Sequence, residues 1–192
     1  QHVLEKVAQL PTAPTTICPL HGPVLQGEAL DEALRLYHIW AHYEVETPGI
    51  FIAHASIHGG TAKAAECLRT KLLEAGCPKV AIADLCREDM AEAIEDAFRY
   101  GTLVCCASSY DGDVFPPMHY FLHKLSIKGY QRRRIALLEN GTWAPSAARA
   151  MKEIIGKMKD IELIDPVVTI RSRMKQEDMP SIDRLVKALI AE

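Results

Sequence analysis

The sequence predicts an α/β fold, a three-layer αβα sandwich built on a five-stranded parallel sheet in the order 2-1-3-4-5. Three observations lead there. From position 50 onward, short apolar runs alternate with amphipathic stretches, the pattern of parallel strands joined by crossover helices. The runs are apolar throughout, as in Thr102-Leu-Val-Cys-Cys-Ala107, which suits strands covered on both faces. The ends of the first, third and fourth runs carry small polar and aromatic residues, and those are the strand ends where a doubly wound sheet of this order binds its ligand.

Residues 1–26 are rich in proline and show no sustained period beyond a short helical pattern at Val3–Leu10. Within them, Thr16–Leu25 reads as a buried strand leading into a His21-Gly22-Pro23 turn. Leu30, Leu34, Tyr37, Trp40 and Tyr43 recur at helical spacing between Gly27 and Glu46, and Thr47-Pro48-Gly49 ends that helix. The strands that follow are Ile50–Ala55, Lys79–Leu85, Thr102–Ala107, Arg134–Leu138 and one within Ile161–Ser172, bent at Asp165-Pro166. The helices are Ala62–Ala75, closed by Gly76, then Asp89–Tyr100, Pro116–Ile127, Ser146–Met158 and Met179–Ala191. Residues 1–26 do not read as a domain of their own; residues 1–48 stand apart as a short segment and a linker helix ahead of the main domain, 49–192.

At 192 residues the chain can bury a full core without staples. A net charge of −3 gives no electrostatic reason to expect nucleic acid. The one dense basic cluster, Arg132-Arg133-Arg134, reads as the solvated lead-in to a strand. The six cysteines have no C-x-x-C spacing, and Cys105 and Cys106 fall inside an apolar run, which fits a reducing cytosol and a cytoplasmic location. No stretch is apolar enough over a sufficient length to suggest a membrane span, and no signal-peptide pattern opens the chain. It begins at Gln1 rather than Met, so it reads as a processed product or part of something longer.

The first strand runs into Ser56-Ile57-His58-Gly59-Gly60-Thr61, where hydroxyls and backbone N–H groups converge ahead of a helix N-terminus, an anion-binding arrangement. The loop has neither the Lys-Ser/Thr pair of a P-loop nor a G-x-G-x-x-G fingerprint, so a nucleoside triphosphate or NAD is poorly supported. The third strand ends in Ser108-Ser109-Tyr110-Asp111-Gly112, and the fourth in Asn140-Gly141-Thr142-Trp143-Ala144. Two aromatic faces among glycines and short polar side chains suit a planar heteroaromatic ring. Phosphate at the first loop and a flat ring between the other two describe FMN.

These three segments, with Val114-Phe115-Pro116 after the second and Met151-Lys152 behind the third, resemble the flavodoxin-like domain of flavodiiron proteins, the A-type flavoprotein family. The likeness covers residues 50–192. It also reaches back to Ile17-Cys-Pro-Leu-His21-Gly-Pro-Val24 and the helix with Tyr37 and Trp40, which resemble the closing segment of the metallo-β-lactamase-like domain that precedes the flavodoxin-like one in that family. The resemblance implies an FMN relay taking electrons from rubredoxin or a flavin/rubredoxin reductase. It passes them to a diiron site that reduces O2 to water or NO to N2O. A head-to-tail homodimer would bring each flavin near the partner's iron. The other iron ligands are absent, His21 is a leftover ligand or a bystander, and this chain alone holds no complete active site; the intact protein would be the oxidoreductase.

Gly60 stands where relatives often carry Ser or Thr, so Gly60→Ser is expected to tighten FMN and Thr61→Ala to loosen it. Asp111 and Asp113 would lower the flavin potential. Gly112 is the expected point of a backbone flip that turns a carbonyl toward reduced N5. Beside these stand plainer readings. His38/His42 and His119/His123 have the i, i+4 spacing that can chelate zinc, but neither pair shows a third ligand, so both read as surface residues. His58 is read equally as a cofactor contact or as solvent-facing, and Asp84 as a helix cap. Two other functions fit the fold: a stand-alone flavodoxin-fold flavin reductase, and an FMN-free flavodoxin-like interaction module.

Overall fold

A computed structural model describes residues 2–191. These divide between Glu46 and Thr47 into two compact units. In the first, helix α1 (His2–Ala8) is followed by two short strands, β1 (Thr16–Ile17) and β2 (Leu25–Gln26), paired antiparallel with Thr16 opposite Gln26. Helix α2 (Glu28–His42) follows, and of its residues Leu30 alone is buried. The expected strand across Thr16–Leu25 is thus a hairpin of two short strands around the His21-Gly22-Pro23 turn.

The second unit alternates as the sequence predicts. Strand β3 (Thr47–Ala55) leads to helix α3 (Gly60–Glu74), and β4 (Val80–Asp84) to α4 (Met90–Arg99). Strand β5 (Tyr100–Tyr110) turns back on a two-residue strand, β6 (Asp113–Val114), before α5 (Pro116–Ile127). Strand β7 (Gln131–Asn140), α6 (Ala147–Ile155), β8 (Lys159–Ile170) and α7 (Met179–Ile190) complete the chain. The central path is β4-β3-β5-β7-β8, all parallel, so the five main strands run 2-1-3-4-5. The pairing of β7 with β8 shifts between Ala136 and Leu138, opposite the Asp165–Pro166 peptide, which is cis.

Strand residues alternate between the two faces, as a period of two requires. Phe51, Ala53, Leu103, Cys105, Ile135 and Leu137 pack beneath α4, α5 and α6; Ile50, Ile52, Val104, Cys106, Ala136 and Leu138 pack beneath α3 and α7. Both Cys105 and Cys106 are buried free thiols, one on each face, and burial pushes the pKa of each upward.

Strands β5 and β7 are longer than their apolar runs, because ladder pairing continues through polar residues at the strand ends. This overturns the reading of Arg132-Arg133-Arg134 as a solvated lead-in. All three lie in β7, and Arg133 is buried, donating to Phe98 O at 2.7 Å and Arg132 O at 3.0 Å. Arg134 donates to Ala188 O at 3.1 Å. These guanidinium groups thus donate to carbonyls in the last turns of α4 and α7, where helix carbonyls lack intrahelical partners.

Candidate functional site

Register places the carboxyl ends of β3, β5 and β7 side by side: Ala55 pairs with Ala107, and Ser108 with Asn140. The loops leaving these three ends form a cleft of about 400 Å³. It is lined by Ser56, Ile57, His58, Gly59, Gly60 and Thr61 from the first loop, Ser108 and Ser109 from the second, and Asn140, Gly141 and Thr142 from the third.

The first loop is built around its serine. Ser56 Oγ accepts from the N–H of Gly59 at 3.0 Å, closing the turn, and Gly59 takes the left-handed conformation (φ 83°) that launches α3. The first backbone bond of α3 is Lys63 N–H to Gly59 O at 3.0 Å. The N–H groups ahead of it therefore point out of the helix end into the cleft. Thr61 is buried, and its hydroxyl meets that of Ser108 at 2.9 Å, which ties the first loop to the end of β5.

The neighbouring helix end is arranged differently. Ser109 Oγ accepts from the N–H groups of Ser146 (2.9 Å) and Ala147 (3.2 Å), and the buried Glu139 carboxylate accepts from Ala148 N–H at 2.8 Å. Thr169 Oγ1 donates to the other Glu139 oxygen at 2.9 Å. The N-terminus of α6 is thereby saturated by the protein's own side chains, while that of the 15-residue α3 faces an open cleft. Of the two, only the α3 end offers N–H groups to a ligand in the cleft.

Three lining residues escaped the sequence reading: Lys63, Ser172 and Arg173. The segment after β8 folds back over the cleft because Asn140 grips it with both ends of its amide. Asn140 Nδ2 donates to Ser172 O at 2.7 Å, and Ser172 N–H donates to Asn140 Oδ1 at 3.0 Å. Asn140 thus acts as the clasp of this strap. Gly60 makes the strap possible, since a Cβ there would lie 2.7 Å from Ser172 O and 3.2 Å from Asn140 Nδ2. The expectation that Gly60→Ser improves the site is overturned: a hydroxymethyl group has no room beside a backbone oxygen. Lys63, one turn into α3, and Arg173, on the strap, add two cations that spacing along the chain did not bring together.

Tyr110, Asp111, Gly112, Trp143 and Ala144 lie outside this cleft's lining. Tyr110 packs against Phe115 with ring centroids 5.7 Å apart and, with Asp111, borders a second cleft that includes His119, Tyr120 and His123. Trp143 is 89% exposed, on the loop that also supplies Gly141 and Thr142. Asp111 (φ 48°) and Gly112 (φ 73°) form the two-residue turn between β5 and β6. An Asp-Gly pair is the sequence signal for such a turn. The Gly112 carbonyl accepts from the Arg149 guanidinium at 2.8 Å, so any reorientation of that peptide exchanges an existing contact. Asp84 is no helix cap: its Oδ1 accepts from Cys86 N–H at 2.9 Å, and Asp89 caps α4 through Ala91 N–H at 2.7 Å.

The architecture has close counterparts among solved structures. The rubredoxin oxygen:oxidoreductase of the anaerobe Desulfovibrio gigas matches 97% of this chain with a TM-score of 0.88 at 16% identity. The flavodiiron protein of Giardia intestinalis matches 97% with a TM-score of 0.84 at 14% identity. A Streptococcus pneumoniae flavodoxin matches 73% with a TM-score of 0.62 at 16% identity, and 96% of its own length is covered. The fold is flavodoxin-like. This flavodoxin-like chain spans about half the length of the two larger proteins, 46% of each. No protein-family model and no curated protein matches its sequence. Among the described residues, no helix is long and apolar enough to cross a membrane.

Proposed function

We propose that this chain is the FMN-binding electron-transfer domain of a flavodiiron oxidoreductase. The observation that carries the reading is the open N-terminus of α3, ringed by the hydroxyls of Ser56, Thr61 and Ser108 and flanked by Lys63 and Arg173. These groups fit a phosphate monoester: hydroxyls and helix N–H groups donate to its oxygens, and the two cations balance its charge. Ser109, Asn140, Gly141 and Thr142 continue the wall toward Trp143, whose exposed indole supplies a flat apolar face for the ring, and Tyr110 supplies another on the adjoining loop. When bound, FMN supplies one- and two-electron transfer, and the protein's part is to hold it and set its surroundings.

The larger assembly follows from the same reading. Residues 1–48 are the closing segment of a metallo-β-lactamase-like domain together with a linker helix, and electrons from rubredoxin or a flavin/rubredoxin reductase pass to a diiron centre carried by chain outside this sequence. Support comes from the extent of the likeness, 97% of the chain against the two larger proteins and 73% against a free-standing flavodoxin. A head-to-tail homodimer of the intact protein and a cytoplasmic setting belong to the same proposal. The test is the purified protein's absorption spectrum before and after adding FMN, with the flavin released by heat and identified. A colourless protein that leaves FMN fluorescence unchanged would sink the proposal in favour of an FMN-free module.

A further inference from the structure

We infer that α2 and the turn after it form a binding site for a divalent transition-metal ion of zinc's class, with His38, His42 and Glu44 as ligands. One ligand atom from each of the three lies within 4.8 Å of the other two. The helix supplies the first pair, since residues four apart share a face, and the two imidazole centroids are 4.2 Å apart.

The third ligand arrives through the way the helix ends. Tyr43 takes the left-handed conformation (φ 56°, ψ 35°), and the N–H of Glu44 bonds back to Ile39 O at 3.0 Å. The chain therefore reverses against the last turn instead of leaving it. Trp40 Nε1 donates to the Glu46 carboxylate at 2.7 Å and holds the reversed segment to the helix. Glu44 is thereby brought beside His38, with its Oε1 3.9 Å from His38 Nε2. A histidine pair at this spacing is common and by itself means little. A carboxylate returned to the same face by a left-handed cap completes a two-imidazole, one-carboxylate set.

A second feature points to coordination. His42 Nδ1 lies 2.8 Å from its own helix carbonyl, His38 O. Facing a carbonyl, that nitrogen must carry the proton, so the lone pair sits on Nε2. Histidine ligands are commonly oriented in this way, by a hydrogen bond from the non-ligating nitrogen. Three protein ligands with the remaining position open to water suit Zn2+, and two imidazoles exclude a preference for Mg2+ or Ca2+. Among the described residues this is the one such cluster; the other spaced pair, His119 and His123, gathers no third ligand. The site is independent of the FMN reading.

The test titrates the tag-free chain with Zn2+, and with Co2+ as a spectroscopic stand-in, against a chromophoric chelator. One ion per chain is expected, with a cobalt spectrum free of thiolate charge transfer. His38→Ala, His42→Ala and Glu44→Gln should each weaken binding by at least about tenfold. The double variant His119→Ala/His123→Ala should bind as the parent does. Circular dichroism of each variant separates loss of a ligand from loss of fold, and His38 and Glu44 are exposed enough for the fold to survive. No stoichiometric binding, binding untouched by all three substitutions, or a thiolate band in the cobalt complex would each overturn the inference.

Discussion

Replacing Gly60 by alanine should loosen both the fold and the cofactor site, although alanine is the better helix former. The backbone at Gly60 does not lie in the left-handed region, so the penalty is steric alone. The new Cβ would sit 2.7 Å from Ser172 O, closer than folded proteins allow, and a backbone oxygen cannot rotate away as a side-chain end can. The strap must move, and its two bonds to Asn140, at 2.7 and 3.0 Å, must lengthen or break. At about 0.5–1.5 kcal/mol for each hydrogen bond, the loss is about 1–3 kcal/mol. The gain from removing a glycine is at most about 1 kcal/mol in a helix interior and less at the first helical position. The net should be a destabilisation of about 1–2 kcal/mol, read as a lower urea midpoint at unchanged slope. FMN affinity should fall about tenfold, because the displaced strap carries Arg173. A double cycle with Asn140→Ala sharpens the test, since both substitutions release the same strap and their costs should not add. A Gly60→Ala or Gly60→Ser protein with the parent's midpoint and equal or tighter FMN binding would refute the contact.

Lys63→Ala and Arg173→Ala should each weaken FMN about tenfold and make binding less sensitive to salt, while leaving riboflavin, which lacks the phosphate, unaffected; fluorescence titration of both flavins at two ionic strengths decides. Glu139→Ala leaves Ala148 N–H and Thr169 Oγ1 without their buried acceptor and should cost about 2–3 kcal/mol in urea unfolding, whereas Glu139→Gln should retain most of that stability. His54 is buried, with its Nδ1 3.9 Å from Asp84 Oδ1, and desolvation pulls its pKa down against the opposing carboxylates of Asp84, Glu66 and Glu88. Below the unfolded value of about 6.5 the unfolded chain therefore binds the extra proton first, so this histidine's contribution to stability is complete above about pH 6.5 and is lost as pH falls toward its lowered pKa. Urea midpoints measured from about pH 7.5 down to about pH 5.5 should decline less steeply in His54→Asn than in the parent.

The succession of strands was legible because its signal is local and repeated: each apolar run marks a strand, and an amphipathic stretch separates it from the next. The strand lengths were not, because ladder pairing extends through residues such as Arg133, which is buried and donates to the Phe98 carbonyl in the last turn of α4. A window of sequence that contains three arginines reads as solvent, and only the tertiary arrangement reveals acceptors for them. The short strand β6 differs, since Asp111-Gly112 carries its turn signal openly, between Tyr110 and the Asp113 that pairs with it.

The site divides in the same way. The first loop could be read because one continuous hexapeptide builds it, with Ser56 closing the turn onto Gly59 and Thr61 opening the helix. The strap could not, because Ser172 reaches Gly60 only through the side-by-side ends of three strands, and nothing near Gly60 in sequence announces a carbonyl 2.7 Å from its missing side chain. The missing side chain at that glycine is the condition for folding the strap, with Arg173, back to the cleft. On the proposed FMN reading, Arg173 would serve the phosphate where a loop hydroxyl is lacking. The third ligand beside His38 and His42 was hidden for a related reason: helical spacing displays the pair, but a left-handed tyrosine reverses the chain, and residue type alone does not disclose that reversal.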